Sequence, residues 1–203
     1  MLVETVDGAL WTPESIGAAT VRDAGDLDRI VVAVDPPVTG NAQSDACGIV
    51  VAGVRMQGAP SEWEAVVLED ASVSAASPLD WARAAVDAFH RHGADRLVAE
   101  VNQGGDLVET VIRQVDPLVS FRAVRAARAK AVRAEPIAAL YEQGRVRHLA
   151  GLGALEAEMG LMSRFGFAGS GSPDRVDALV WALTDLLLDP AAQWRRPRIR
   201  ALG

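Results

Sequence analysis

Three carboxylates stand where the sequence would hold a side chain rigid. Asp35 directly follows the apolar run Ile30-Val31-Val32-Ala33-Val34, Glu100 lies near the end of a short apolar run from Arg96 to Val101, and Asp177 sits one turn inside the apolar segment Pro173 to Leu188. An acid at the end of a buried strand is rigid and faces a sheet edge where a ligand can approach. At about 100° per residue, Asp177 falls on the shoulder of the stripe made by Val176, Val180, Leu183 and Leu187, the border between core and cleft. Each acid has a plainer reading. Asp35 can cap the turn at Pro36, Glu100 can be an exposed strand terminus, and Asp177 and Asp174 can answer the positive end of a helix dipole, which is the simpler account of Asp174. Taken together, an Asp on a first strand, a Glu on a fourth and an Asp on a closing helix are what two-metal phosphoryl transfer requires. Two divalent ions about 4 Å apart activate a water and stabilise the leaving oxygen, and several convergent carboxylates hold that charge close together.

Other metal chemistries lack ligands. The single Cys47 cannot form an internal disulfide, and three scattered histidines do not give zinc spacing. The expected cofactor is therefore two divalent ions, Mg²⁺ or Mn²⁺, on oxygen donors. Without metal the acids repel one another, so metal is expected to stabilise the fold. The formal charge of −7 is unevenly spread. Residues 121 to 147 carry Arg122, Arg125, Arg128, Lys130, Arg133, Arg145 and Arg147 against Glu135 and Glu142, and Arg195, Arg196, Arg198 and Arg200 lie in the tail. An acidic body with basic patches suits phosphate binding at a defined surface, although a solvated basic helix face would have the same composition.

These residues need a scaffold, and 203 residues suffice for one α/β domain. The expected division is an arm over residues 1–28, a core domain over 29–190 and a basic tail over 191–203. Ile30 to Val34, Ala46 to Val54 and Trp63 to Leu68 read as three successive strands. Leu79 to His90 then reads as a helix stopped before Gly93, Arg96 to Val101 as a strand, and Leu107 to Ile112 as a helix opened by Gly104-Gly105. Leu118 to Val124 and Val146 to Leu149 are further candidate strands around a helix from Ala129 to Gln143, and Pro173 to Leu188 closes the chain as a helix. This order predicts an α/β fold with a mixed sheet whose first three strands are an antiparallel meander. The glycines between residues 150 and 172 suggest a flap over the cleft. No apolar run reaches the roughly 18 to 20 residues that cross a bilayer, and the amino terminus has no basic segment leading into an apolar stretch, so a soluble protein that is not exported and has no membrane contact is expected.

Four blocks carry a family resemblance: VVAVDPPVTGNAQSDACGIVVAG from Val31 to Gly53, LVAEVNQGGDLVETVIR from Leu97 to Arg113, RAKAVRAEPIAALYEQGRVRHL from Arg128 to Leu149, and GSPDRVDALVWAL from Gly171 to Leu183. In this order they resemble the nuclease domain of the large terminase subunit of tailed bacteriophages and gene transfer agents. The resemblance implies a ribonuclease H-like fold and an endonuclease that cuts concatemeric duplex DNA at the start and end of packaging. It implies catalytic roles for Asp35, Glu100 and Asp177, with Asp45 as a further acid beside the metal site, ranked below the three because a loop Asp before a strand is commonly a turn residue; Asp174 joins the candidate metal-site acids only by its place three residues before Asp177. A block near the cleft brings Lys130, the only lysine, with Arg128 and Arg133, expected to contact DNA phosphates. The implied partners are double-stranded DNA, the amino-terminal ATPase domain of the same subunit, the portal and the small terminase subunit, in host cytoplasm and transiently at the procapsid portal. The sequence departs from the full-length family in lacking a phosphate-binding P-loop: Lys130 is followed by Ala131, not by Ser or Thr. The chain is therefore expected to be a fragment without the motor.

Two rivals stay open. A junction resolvase or integrase of the same fold would use the same acids on different DNA, and a non-catalytic docking or DNA-clamping module would keep the fold without the chemistry. A dinucleotide-binding reading of Asn102-Gln103-Gly104-Gly105 fails on the missing third glycine and on Glu100, which would repel a pyrophosphate. Trp63, Trp81 and Trp181 read as core aromatics, while Trp11 and Trp194 in the arms are candidates to meet a partner.

Overall fold

The computed structural model describes residues 6–37, 46–74, 76–101 and 106–189. Asp45, the Gly104-Gly105 turn, Trp194 and the basic tail lie outside them. In the described part of the amino-terminal segment, residues 6–28, Trp11, Ile16 and Ala19 belong to the core. Helix α1 (Pro13–Ala19) opens on a Thr12/Ser15 capping box and leads into β1 (Thr20–Val21). Trp11 is 1% exposed, edge-on to Tyr141 with ring centroids 5.9 Å apart. Its apolar area is spent inside the molecule, which corrects the expectation that Trp11 would face a partner.

The predicted meander is present. Strands β2 (Arg29–Asp35), β3 (Ala46–Arg55) and β4 (Glu64–Asp70) pair antiparallel in sequence, and β5 (Val73–Ser74) adds to the start of β3. Helix α2 (Pro78–Arg91) begins with a Ser77/Asp80 capping box, and Gly93 follows at φ 56°, the left-handed conformation expected of a glycine stop. The chain then returns as β6 (Arg96–Glu100) parallel to β2, crosses by α3 (Asp106–Val115) and forms β7 (Phe121–Val124) parallel to β6. Strand β7 starts three residues later than the hydrophobic run suggests, because Asp116 caps a turn through the Leu118 N–H and leaves Leu118 on the surface.

Helix α4 (Lys130–Glu142) leads to β8 (Val146–Leu149), parallel to β4, and β1 pairs with the far side of β8. The strand order is β1-β8-β4-β3-β2-β6-β7. The glycine-rich stretch expected to be a flap holds α5 (Gly153–Met159) and a hairpin of β9 (Met162–Ser163) and β10 (Gly166–Phe167), with Leu155, Met159 and Met162 buried. The chain ends in α6 (Asp174–Leu183), prolonged by a π-helical turn over Thr184–Leu188.

Period-two alternation divides the sheet residues between two cores. Val32, Val34, Ile49, Val51, Leu97 and Ala99 pack under α2 and α3. Val31, Ala33, Val50, Ala52, Ala65 and Val67 face α4, α5 and α6, together with Trp11 and Ile16. Among the described residues no helix is long and apolar enough to cross a membrane.

Candidate active site

Asp35 and Glu100 meet because β2 and β6 are parallel neighbours. Val34 lies opposite Ala99, so the next residue on each strand, Asp35 and Glu100, emerges at the same sheet edge. Parity puts Asp35 with Val31 and Ala33 on the face covered by α6. Burial of Val34 and Ala99 under the opposite helices leaves the two acids no other side to turn to.

The third acid arrives with α6, whose approach depends on a missing side chain. Gly48 is the cross-strand partner of Asp35, and a Cβ built there would sit 1.8 Å from the Asp174 carbonyl oxygen. The first turn of α6 therefore rests directly on β3. Pro173 provides no side-chain cap for that turn. Glu158 of α5 substitutes, accepting from the Val176 N–H at 2.9 Å and lying 3.6 Å from Arg175, which itself pairs with Asp70 at 3.0 Å. Burial raises the Glu158 pKa despite these partners.

Asp35, Glu100 and Asp177 are 8%, 7% and 1% exposed. Asp177 is thus buried outright, deeper than the border position its helical phase suggests. Lys130 Nζ hydrogen-bonds Asp177 and Ser172 and lies 3.9 Å from Asp35. Arg133 donates to Glu100 at 3.2 Å and to Asp177 at 3.0 Å. The acids and cations thus alternate in one chain: Asp35, Lys130, Asp177, Arg133, Glu100. Trp181 completes it, giving its indole N–H to Glu100 at 2.6 Å while the Arg133 guanidinium lies 4.7 Å from its ring centroid.

Three formal negative charges face two positive ones in a centre withdrawn from water. Burial, then the charge of Asp177, pushes the Asp35 carboxyl well above the ordinary range. Burial also raises Asp177, against the hydrogen bond from Lys130. Burial alone would lower Lys130, but its hydrogen bond to Asp177 and the charges of Asp177, Asp35 and Asp174 outweigh that and raise it. Asp174, at the first turn of α6, contributes its charge to the same centre.

The structure thus brings Asp35, Glu100, Asp177, Lys130 and Arg133 together. Arg133, expected to face DNA, is turned inward with a side chain only 10% exposed. Arg128 is exposed in the connection before α4. Among the described residues no three metal-ligating side chains are already gathered as a metal site. The donor set is all oxygen and short of positive charge, and it fits a hard divalent cation that takes over carboxylate contacts now made by Lys130 and Arg133. Trp181 escaped the sequence reading as a site residue, although it lies four residues after Asp177 and so on the same helix face. Gly48 and Glu158 gave no signal, since both act through α6.

Residues 32–186 match the family described as the terminase RNaseH-like domain. Among solved structures, the chain resembles the nuclease domain of the large terminase subunit gp2 of bacterial virus Sf6 at TM-score 0.61 and 15% identity, covering 86% of this chain and 98% of that one. The human cytomegalovirus terminase nuclease domain superposes at TM-score 0.58 with 16% identity, over 89% and 96% of the two chains. The large terminase nuclease from thermophilic phage G20c with bound magnesium superposes at 0.60 with 11% identity, over 88% and 98%. At such identities the likeness is one of fold, ribonuclease H-like as expected. No curated protein matches the chain by sequence.

Proposed function

The chain belongs to the family of terminase ribonuclease H-like domains, and from that premise we propose that it is a metal-dependent endonuclease that cuts duplex DNA during viral genome packaging. The observation that carries the reading is the joining of acids from β2, β6 and α6 through Lys130 and Arg133, at a buried centre short of positive charge. A purely structural role gives no reason to bury three mutually repelling carboxylates together. Related domains were solved with bound magnesium or cobalt, or soaked with manganese, which supports divalent metal use here.

Asp35, Glu100 and Asp177 would hold the metal, with Asp174 beside them and Asp45 as a further candidate. Two divalent ions, when bound, would supply the charge that activates a water and stabilises the leaving oxygen. Arg133, locked between Glu100, Asp177 and the Trp181 ring, holds two of the acids in fixed relation. Lys130 is half-exposed and ends a flexible stem, so on release from Asp177 it is the cation best placed to meet a DNA phosphate. Arg128 would extend that contact. The partners in this reading are duplex DNA, an ATPase domain of the same subunit, the portal and the small subunit, in host cytoplasm at the procapsid portal.

Nicking and linearisation of supercoiled plasmid test the proposal. Cutting is expected with Mg²⁺ or Mn²⁺, none with EDTA, and none from folded Asp35→Ala, Glu100→Ala or Asp177→Ala proteins. Failure to cut with either metal would favour a non-catalytic clamping module.

A further inference from the structure

A groove of about 330 Å³ opens beside the carboxylates, walled by Arg122, Val124, Arg125, Trp181, Thr184 and Asp185. It is continuous with the candidate active site through two residues. Val124 is the cross-strand partner of Glu100, and Trp181 gives its N–H to Glu100 while lining the groove. Arg122 pairs with Val98, so parity places it on the same sheet face as Glu100, two residues back and one strand out. Strand β7 ends the sheet, and the groove therefore leads from the buried acids to the edge of the molecule.

Two arginines, Arg122 and Arg125, and two carboxylates, Asp185 and Asp189, line the groove, and Arg29 and Arg96 reach Asp185 from outside the lining, so positive charge is left over. Asp185 is 3% exposed and has three arginine partners, Arg29, Arg96 and Arg122, of which Arg122 also binds Asp189. Its carboxylate is more than matched. Arg125, exposed at the rim, makes no hydrogen bond or ion pair among the described residues. An arginine fork with free donors beside a neutralised wall is suited to phosphate oxygens.

We propose that this groove is a phosphate subsite, in which Arg125 binds the sugar-phosphate backbone of the DNA as it leaves the carboxylates across β7. The subsite rests on the nuclease reading above. Arg125 is a binding residue: it anchors DNA that the acids cut, and takes no part in the bond-breaking step.

The test is fluorescence anisotropy of a short labelled duplex in EDTA across a salt series, with wild type, Arg125→Ala, Arg125→Lys and Arg83→Ala. Arg83, exposed on α2 away from the groove, controls for general charge loss. Arg125→Ala is expected to weaken binding several-fold and to lower the salt slope by about one unit, the share of one phosphate contact. Arg125→Lys should recover much of both, and Arg83→Ala should behave as wild type. In plasmid cutting with Mg²⁺, Arg125→Ala should raise KM and leave kcat at saturating DNA. If wild type binds and cuts while Arg125→Ala matches Arg83→Ala, the subsite is wrong and the nuclease reading stands. If wild type neither binds nor cuts duplex DNA, both fall.

Discussion

Asp35 and Arg133 show what a buried charge costs and what sets its sign. The Asp35 carboxylate is held away from water beside Asp177, with Lys130 3.9 Å away. Asp35→Asn is therefore expected to raise the melting temperature in EDTA at neutral pH, while abolishing cutting and the stabilisation that Mn²⁺ gives wild type. Because its folded pKa is raised, Asp35 binds its proton more readily in the native state, and wild-type stability improves as pH falls through the raised range towards ordinary carboxylate values. The gap between Asp35→Asn and wild type in EDTA should accordingly shrink on acidification; a constant gap would contradict the burial account. Arg133 is the opposite case, since removing it leaves Glu100 without its cation and Asp177 with Lys130 alone. Arg133→Met is expected to cost about 3 kcal/mol in denaturant unfolding in EDTA, with much of that regained in Mn²⁺. A loss that metal does not reduce would mean that Arg133 serves packing on Trp181 more than charge.

Elements position the site through contacts that contain no catalytic group. The first turn of α6 rests on Gly48, so Gly48→Ala must push helix from strand and carry Asp174 and Asp177 away from Asp35. A loss of about 3 kcal/mol and of nearly all cutting is expected, although alanine is a mild change by type. Glu158 holds the same turn from α5 by accepting from the Val176 N–H. Glu158→Ala should cost about 1 kcal/mol, the usual value of a helix cap, and weaken Mn²⁺ stabilisation because Asp177 is less well fixed. Unchanged metal response in a destabilised Glu158→Ala protein would confine its role to stability.

At the scale of the whole molecule, three described residues ahead of β2 enter the core. Trp11, Ile16 and Ala19 pack with α4, α5 and α6 on the face that carries the acids, and β1 extends the sheet beyond β8. Trp11→Ala is expected to lower stability by about 3 to 5 kcal/mol, while the folded fraction keeps its metal response. Chemical denaturation with and without Mn²⁺ measures both quantities. A small cost would favour residues 1–28 as an arm outside the domain.

The sequence by itself determined the central strands, the antiparallel meander and the major helices, because continuous β-branched runs and helical periodicity are local properties of adjacent residues. It also singled out Asp35, Glu100 and Asp177, since a charge is conspicuous at the end of an apolar run or inside a buried helix. Helix α1, helix α5 and the β9-β10 hairpin escaped because they are short and owe their shape to burial of Trp11, Leu155, Met159 and Met162 against distant elements. Only the tertiary structure decided that Lys130 and Arg133 turn inward to the acids, that Trp181 donates to Glu100 and that Gly48 admits α6. Those contacts join residues 33 to 126 positions apart, so their energy depends on the fold already having formed and leaves no local trace in the chain.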